Sequence, residues 1–130
     1  MRVLVAEGET ATSPLLEETI ARLGHECLVA RDASSASEVM RTADIDLLFT
    51  EWRTSGVEGI SRCRRARESM TPRDTYIVVV GRLEPDQILE SLDAGADDCI
   101  ATPVDVVEVQ ACVAAAQRAG AGAGAGAGRE

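Results

Sequence analysis

The chain has 130 residues, enough to bury one conventional core and no more. Its formal net charge of −9 argues against nucleic acid as a direct partner, because phosphate binding needs a basic surface. All 13 residues counted as Lys+Arg are arginine, which excludes mechanisms that need a lysine ammonium, and no apolar run approaches the roughly 20 residues of a membrane span. With no charged-then-apolar leader either, a cytoplasmic location is expected.

Short segments rich in Val, Ile and Leu fall at 2–6, 26–30, 46–51, 76–80 and 98–101, each followed by a helical pattern. Such alternation predicts a parallel sheet with crossover helices. The first run, Val3, Leu4 and Val5, leads to Glu7. In the helix after it Leu15, Leu16, Ile20 and Leu23 recur at helical spacing, with Ser13 placed to cap, Pro14 in the first turn and Gly24 as the stop. His25 then stands at a strand start, on the far edge of the sheet from Glu7, and reads as a surface or capping histidine rather than a ligand. The second helix presents Ala36, Val39 and Met40.

The third strand, Asp46-Leu-Leu-Phe-Thr-Glu51, runs into a turn and leaves Glu51 at its carboxyl end. Glu7 and Glu51 are thereby expected at the carboxyl edge of one sheet, where open α/β folds place their sites. The third helix presents Ile60, Cys63 and Met70, while Arg62, Arg64, Arg65 and Arg67 crowd its remaining surface. That cluster reads as a solvated face, with docking of an acidic partner as the alternative.

Pro85 opens a fourth helix whose apolar face is Ile88, Leu89 and Leu92, and Gly95 caps its end. Asp97 and Asp98 suit the turn into the fifth strand. The fifth helix, about 105–118, carries Val106, Val107, Val109, Val113 and several alanines, more apolar surface than one core-facing stripe requires. Either the excess is a contact surface or the alanines are simply good helix formers that tolerate exposure. From Ala119 the chain is an Ala-Gly repeat ending in Arg129 and Glu130, so 1–118 is expected to be the domain and 119–130 a flexible linker or tail. The four cysteines, Cys27, Cys63, Cys99 and Cys112, form no Cys-x-x-Cys pair and read as small buried hydrophobes; a redox sensor would need an exposed, low-pKa thiol.

Taken in order, Arg2-Val-Leu-Val-Ala-Glu7-Gly-Glu9, Arg22-Leu-Gly-His-Glu26, Asp46 to Glu51, Gly56-Val-Glu-Gly59 and Gly95-Ala-Asp-Asp98 followed by Thr102-Pro103 resemble the receiver domain of bacterial two-component response regulators. The resemblance covers about residues 1–118 and implies a CheY-like (flavodoxin-like) (βα)5 fold, a five-stranded, doubly wound parallel sheet. Members of that family take a phosphoryl group from a histidine kinase onto an aspartate ending the third strand, with Mg2+ held by that aspartate and an acidic pair ending the first.

Measured against that pattern, the phosphoacceptor position is Glu51. Its extra methylene moves the carboxylate by about 1.5 Å, and a misplacement of about 1 Å can cost on the order of a hundredfold in rate. The acidic pair matches Glu7 and Gly8, so one carboxylate is missing and Mg2+ binding is expected to be weak or absent. Arg53, two residues beyond Glu51, is placed either to neutralise Glu7 or Glu51 in the ion's stead or to face solvent. The switch Ser/Thr matches Val80, the aromatic switch Cys99 and the family lysine Thr102; Pro103 keeps the family's proline, before which a cis peptide is expected.

The reading that follows is an atypical receiver, a pseudo-receiver: not an enzyme, without a cofactor, and acting in bacterial signal transduction as a phosphorylation-independent protein-interaction module. Its expected partners are a signalling protein or an output domain, with a homodimer as a further option, through the predicted fourth helix, fifth strand and fifth helix; Ile100, Val107, Ala111 and Ala114 are the candidate interface residues. The alternative is a conventional phospho-accepting receiver that uses Glu51 or a nearby acid such as Glu9. A small flavodoxin-like enzyme or nucleotide binder is a third reading, opposed by the lack of a glycine-rich phosphate loop after the first strand.

Overall fold

Aliphatic runs of four to six residues with no polar interruption can be satisfied only by a sheet covered on both faces. The computed structural model describes residues 1–6, 13–51, 64 and 75–120 and contains such a sheet. The elements run β1 (Arg2–Ala6), α1 (Ser13–Arg22), β2 (Glu26–Ala30), α2 (Ala33–Thr42), β3 (Leu47–Glu51), β4 (Tyr76–Gly81), α3 (Pro85–Asp93), β5 (Asp98–Ala101) and α4 (Val106–Arg118). All five strands are parallel, in the order β2-β1-β3-β4-β5. The five expected strands are therefore present to within a residue at each end. The predicted third helix lies outside the described residues, save for Arg64, which is helical and exposed.

Strand residues alternate between two cores. On one face Val3, Val5, Leu47, Phe49, Val78, Val80 and Ile100 pack with Leu16 and Ile20 of α1 and with Val109, Cys112, Val113 and Ala116 of α4. On the other, Leu4, Ala6, Leu48, Ile77 and Val79 pack with Ala36 of α2 and with Ala94 and Ala96 just after α3. Gly24 and Gly95 close α1 and α3 with φ of +89° and +117°, the left-handed conformation that lets the chain turn back into a strand. Leu23, counted with the apolar stripe of the first helix, lies past its end and is 39% exposed.

Two aspartates extend the sheet at its amino edge. Asp46 accepts the Arg2 N–H at 2.8 Å through Oδ2 while its own N–H donates to the Arg2 carbonyl at 2.9 Å. Asp97 repeats the device on β4, accepting the Ile77 N–H at 2.8 Å and donating to the Ile77 carbonyl at 2.7 Å. Each carboxylate satisfies a strand donor that no neighbouring strand reaches. Asp97 is thus a strand-start residue, as its turn position suggested.

The predicted apolar face of the helix opened by Pro85 is a correction. Leu89 is 69% exposed, Leu92 42% and Ile88 36%, whereas Ser91 is fully buried. Ser91 lies at the close contact of α3 with the sheet, and its hydroxyl donates to the Gln87 carbonyl at 2.9 Å, so its burial strands no donor. A small residue whose polar group is satisfied within the helix replaces the larger aliphatics at the contact. Among the described residues no helix is long and apolar enough to cross a membrane.

Replacing Asp97 with Ala would leave the N–H of fully buried Ile77 without its acceptor. A loss of about 1–3 kcal/mol in unfolding free energy by urea titration is expected. A change within a few tenths of a kcal/mol would refute the assigned role.

Candidate functional site

Glu51 is the last residue of β3, and strand periodicity puts it on the same side as Leu47 and Phe49. It is 2% exposed. Register sets it directly beside Val80 of β4, and Val80 beside Ile100 of β5. One step further Gly81 pairs with Ala101, and the Thr102 N–H donates to the Gly81 carbonyl at 3.2 Å. On the other flank Ala6 pairs with Thr50, so the chain leaving β1 departs next to the chain leaving β3. The carboxyl edge therefore gathers Glu51, Val80 and Thr102 on three adjoining strands or their exits.

The chemistry of that edge is sparse. Val80 is 1% exposed and is part of the core beneath α1 and α4, so an aliphatic side chain stands next to the carboxylate. Thr102 is half-buried and brings a hydroxyl, and the Thr102–Pro103 peptide is cis with Pro103 exposed. Glu7, Gly8, Glu9, Trp52, Arg53 and the turn Gly56 to Gly59 lie outside the described residues.

Mg2+ would have to find its oxygen donors at this edge. An octahedral ion needs several well-placed oxygens and gives up water reluctantly. At this edge the described residues offer one carboxylate, Glu51, and the sequence has Gly8 where a second acid would be required. Among the described residues no group of three or more His, Cys, Asp or Glu is arranged to hold a metal ion.

The remaining candidates do not converge on the edge. Cys99 pairs with Val79 and packs, half-buried, against the opposite core from Val80, so the positions matched to the family's hydroxyl and aromatic switches face different sides of the sheet. Ile100, proposed as an interface residue, is corrected: at 3% exposure it packs beneath α4, because alternation along β5 turns it inward. Val107 is 68% exposed, Ala111 is exposed and Ala114 is half-buried. The outward set of Ile88, Leu89 and Leu92 was missed as a surface, since helical periodicity marks an apolar stripe without saying which way it faces.

Three described cysteines, Cys27, Cys99 and Cys112, are free thiols. Burial, followed by the nearby Asp98 carboxylate, pushes Cys112 up to about 12, and burial, with Glu17 behind it, pushes Cys27 up to about 11. Cys99 is raised for the same first cause, with Asp98 adding to it. The Cys112 Sγ sits 3.9 Å from Asp98 Oδ2. Raised thiols hold little thiolate at neutral pH, which is the reverse of a redox sensor. His25 is lowered, by desolvation first and then by the α-amino group of Met1, 2.9 Å from Nδ1.

Comparison with known proteins finds that the family described as response regulator receiver domain matches residues 3–114. The phosphate regulon transcriptional regulatory protein PhoB of Rhizobium meliloti is 32% identical over 118 residues, covering 90% of this chain and 52% of that protein. The chain thus spans about half the length of the curated relatives it matches. Among solved structures, a two-component response regulator from Clostridium difficile superposes with a TM-score of 0.81 at 24% identity, covering 91% of this chain and 96% of that one. A structure described as an atypical orphan response regulator with a phosphorylation-independent regulatory mechanism superposes with a TM-score of 0.77 at 21% identity, over 91% and 96% of the two chains. At these identities the structural likenesses speak for the fold.

A thiol raised in the folded state keeps its proton to higher pH than the unfolded chain does. Folding stability is therefore level below the ordinary thiol value of 9.0 and falls as pH rises toward about 12. Denaturant titrations across that alkaline window are expected to show the decline, and Cys112→Ala, whatever it costs at neutral pH, is expected to flatten it. An unchanged slope in the variant would exclude Cys112 as the source.

Proposed function

The chain belongs to the response regulator receiver domain family, and on that premise we propose that it is a pseudo-receiver, a non-enzymatic module of two-component signalling that binds its partner without being phosphorylated. The observation that carries the reading is the row Glu51, Val80, Ile100. A buried carboxylate one methylene too long lies in register with a buried valine where the phosphoryl oxygen would need a hydroxyl. Thr102 supplies a half-buried hydroxyl where the family places an ammonium, and no lysine exists elsewhere in the chain to replace it.

Each departure weakens a different part of phosphoryl transfer. The longer acid misplaces the nucleophile, which costs rate through lost alignment. The missing second acid lowers the affinity for the metal that would neutralise the incoming phosphate. The valine and the threonine remove the groups that would read the added charge, so a permanent mimic of phosphoaspartate by Glu51 finds no reader either. What remains is the five-stranded scaffold and its flanking helices, suited to an output domain or a signalling partner.

Two readings of one experiment test it. Incubation with Mg2+ and acetyl phosphate is expected to leave the intact mass unchanged, and Mg2+ with beryllofluoride is expected to leave Trp52 fluorescence unchanged up to tens of millimolar ion. A phosphoryl adduct, or a saturable fluorescence change, that disappears in Glu51→Ala or in Glu9→Ala would overturn the proposal and establish a conventional phospho-accepting receiver.

A further inference from the structure

The sheet has two margins, and they are finished differently. Strand β5 has four residues, opens on exposed Asp98 and is followed by Pro103, which has no N–H to offer a neighbouring strand. Strand β2 has five residues, with the half-buried apolar run Cys27-Leu28-Val29 at its centre. Its flanking charges are Glu26 at the start and Arg31 just past the end. Glu26 is drawn toward β1, its Oε1 lying 3.1 Å from Arg2 Nε. A margin that carries no charge, proline or bulge within its central run is a template for another strand.

The pairing with β1 fixes which backbone groups of β2 point outward. The Glu26 N–H donates to the Met1 carbonyl at 3.1 Å, and the register runs from Arg2 with Glu26 to Ala6 with Ala30. Alternate residues of a strand turn their N–H and C=O groups to opposite sides, so Glu26, Leu28 and Ala30 address β1 while Cys27 and Val29 address the outer side. Among the described residues β2 pairs with β1 alone. Its side chains alternate as well, Cys27 and Val29 packing on the core beneath α1 and Leu28 on the core beneath α2.

A two-fold axis normal to the sheet keeps each face on its own side, so an antiparallel second copy must oppose residues of the same face. The candidate centres are Cys27, Leu28 and Val29. Centred on Val29, the pairing sets Glu26 against Asp32 of the second copy, which is repulsive; centred on Cys27, it sets the Glu26 carboxylate against Leu28. Centred on Leu28, it opposes Cys27 to Val29, so that the outward donors and acceptors of both residues are used, and Leu28 meets Leu28 at the axis. This margin also lies away from most of the chain's charge. Ser13 to Asp44, which holds β2 with α1 and α2, carries six acids and three arginines, a net −3, whereas Arg82 to Arg118, at the opposite margin, carries eight acids and two arginines, a net −6.

We infer that two copies of this chain pair through β2, antiparallel and centred on Leu28, into one continuous sheet. The inference goes beyond the pseudo-receiver reading and does not depend on it, since no phosphoryl group enters the contact.

Sedimentation of the whole chain at rising concentration is expected to show a dimer. Leu28→Lys sets two ammonium groups against each other at the axis, and Cys27→Pro removes an outward N–H at an edge where proline is tolerated. Each is expected to raise the dissociation constant by about tenfold or more, with the circular dichroism of the fold retained. Leu89→Ser, on α3 beside the other margin, is expected to leave the dimer unchanged. Leu28→Cys in a Cys27→Ala background is expected to cross-link two chains when oxidised with glutathione disulfide, and Cys27→Ala alone is not. The opposed Cα atoms of such a non-hydrogen-bonded pair stand about 4.5 Å apart, within disulfide reach. A monomer at every concentration would overturn the inference, as would a dimer that Leu28→Lys and Cys27→Pro leave intact or that Leu89→Ser dissociates. Absence of the cross-link in the Leu28→Cys chain would exclude the register.

Discussion

A parallel sheet buried on both faces admits polar side chains only where its strands end, and the rest of this molecule follows from that confinement. From Val3 to Ala6 and from Ile77 to Val80 every side chain enters one of two apolar cores, Thr50 on β3 being the inward exception. Ionisable groups are pushed to the two edges and there acquire different work. At the amino edge Asp46 and Asp97 take up strand N–H groups and extend the pairing. At the carboxyl edge Glu51 ends β3, buried and in register with Val80.

On the proposed pseudo-receiver reading, that division accounts for chemistry lost without loss of fold. Val80 contributes to the core through its methyl groups, and a hydroxyl there would serve a ligand rather than the packing. Thr102 contributes through its backbone, whose N–H donates to the Gly81 carbonyl. The structural demands at both positions are met without the hydroxyl and the ammonium, respectively, that the family pattern places there. Stability and, on the proposed pseudo-receiver reading, phosphoryl chemistry draw on different atoms of the same edge.

The cysteines and the helix α3 show the same economy applied to surfaces. Cys112 fills a core position beneath β5 beside Asp98, where burial suppresses ionisation and leaves the thiol a small hydrophobe. Ser91 fills the contact of α3 with the sheet because its hydroxyl is satisfied by Gln87, and the aliphatics of that helix are released to the outside. The exposed aliphatics of α3 thus lie on a helix packed beside β5.

Much of this was legible in the residues alone. Short runs rich in Val, Ile and Leu located all five strands, helical spacing located the four described helices, and the glycines after α1 and α3 marked their ends, because these signals depend on local backbone geometry and on the uniform burial of a parallel sheet. The place of Glu51 followed from the strand reading, and Val80 and Thr102 were singled out by the resemblance to the receiver family. What only the tertiary structure decided was orientation. Ile100 turns inward beneath α4 and Leu89 turns outward from α3, although each is a plain aliphatic in its segment. A strand's alternation does not say which face a given residue takes until α4 is docked, and a helical stripe does not say whether a sheet or solvent lies opposite. Side-chain direction relative to a neighbour is a property of packing, and packing is settled between elements distant in the chain.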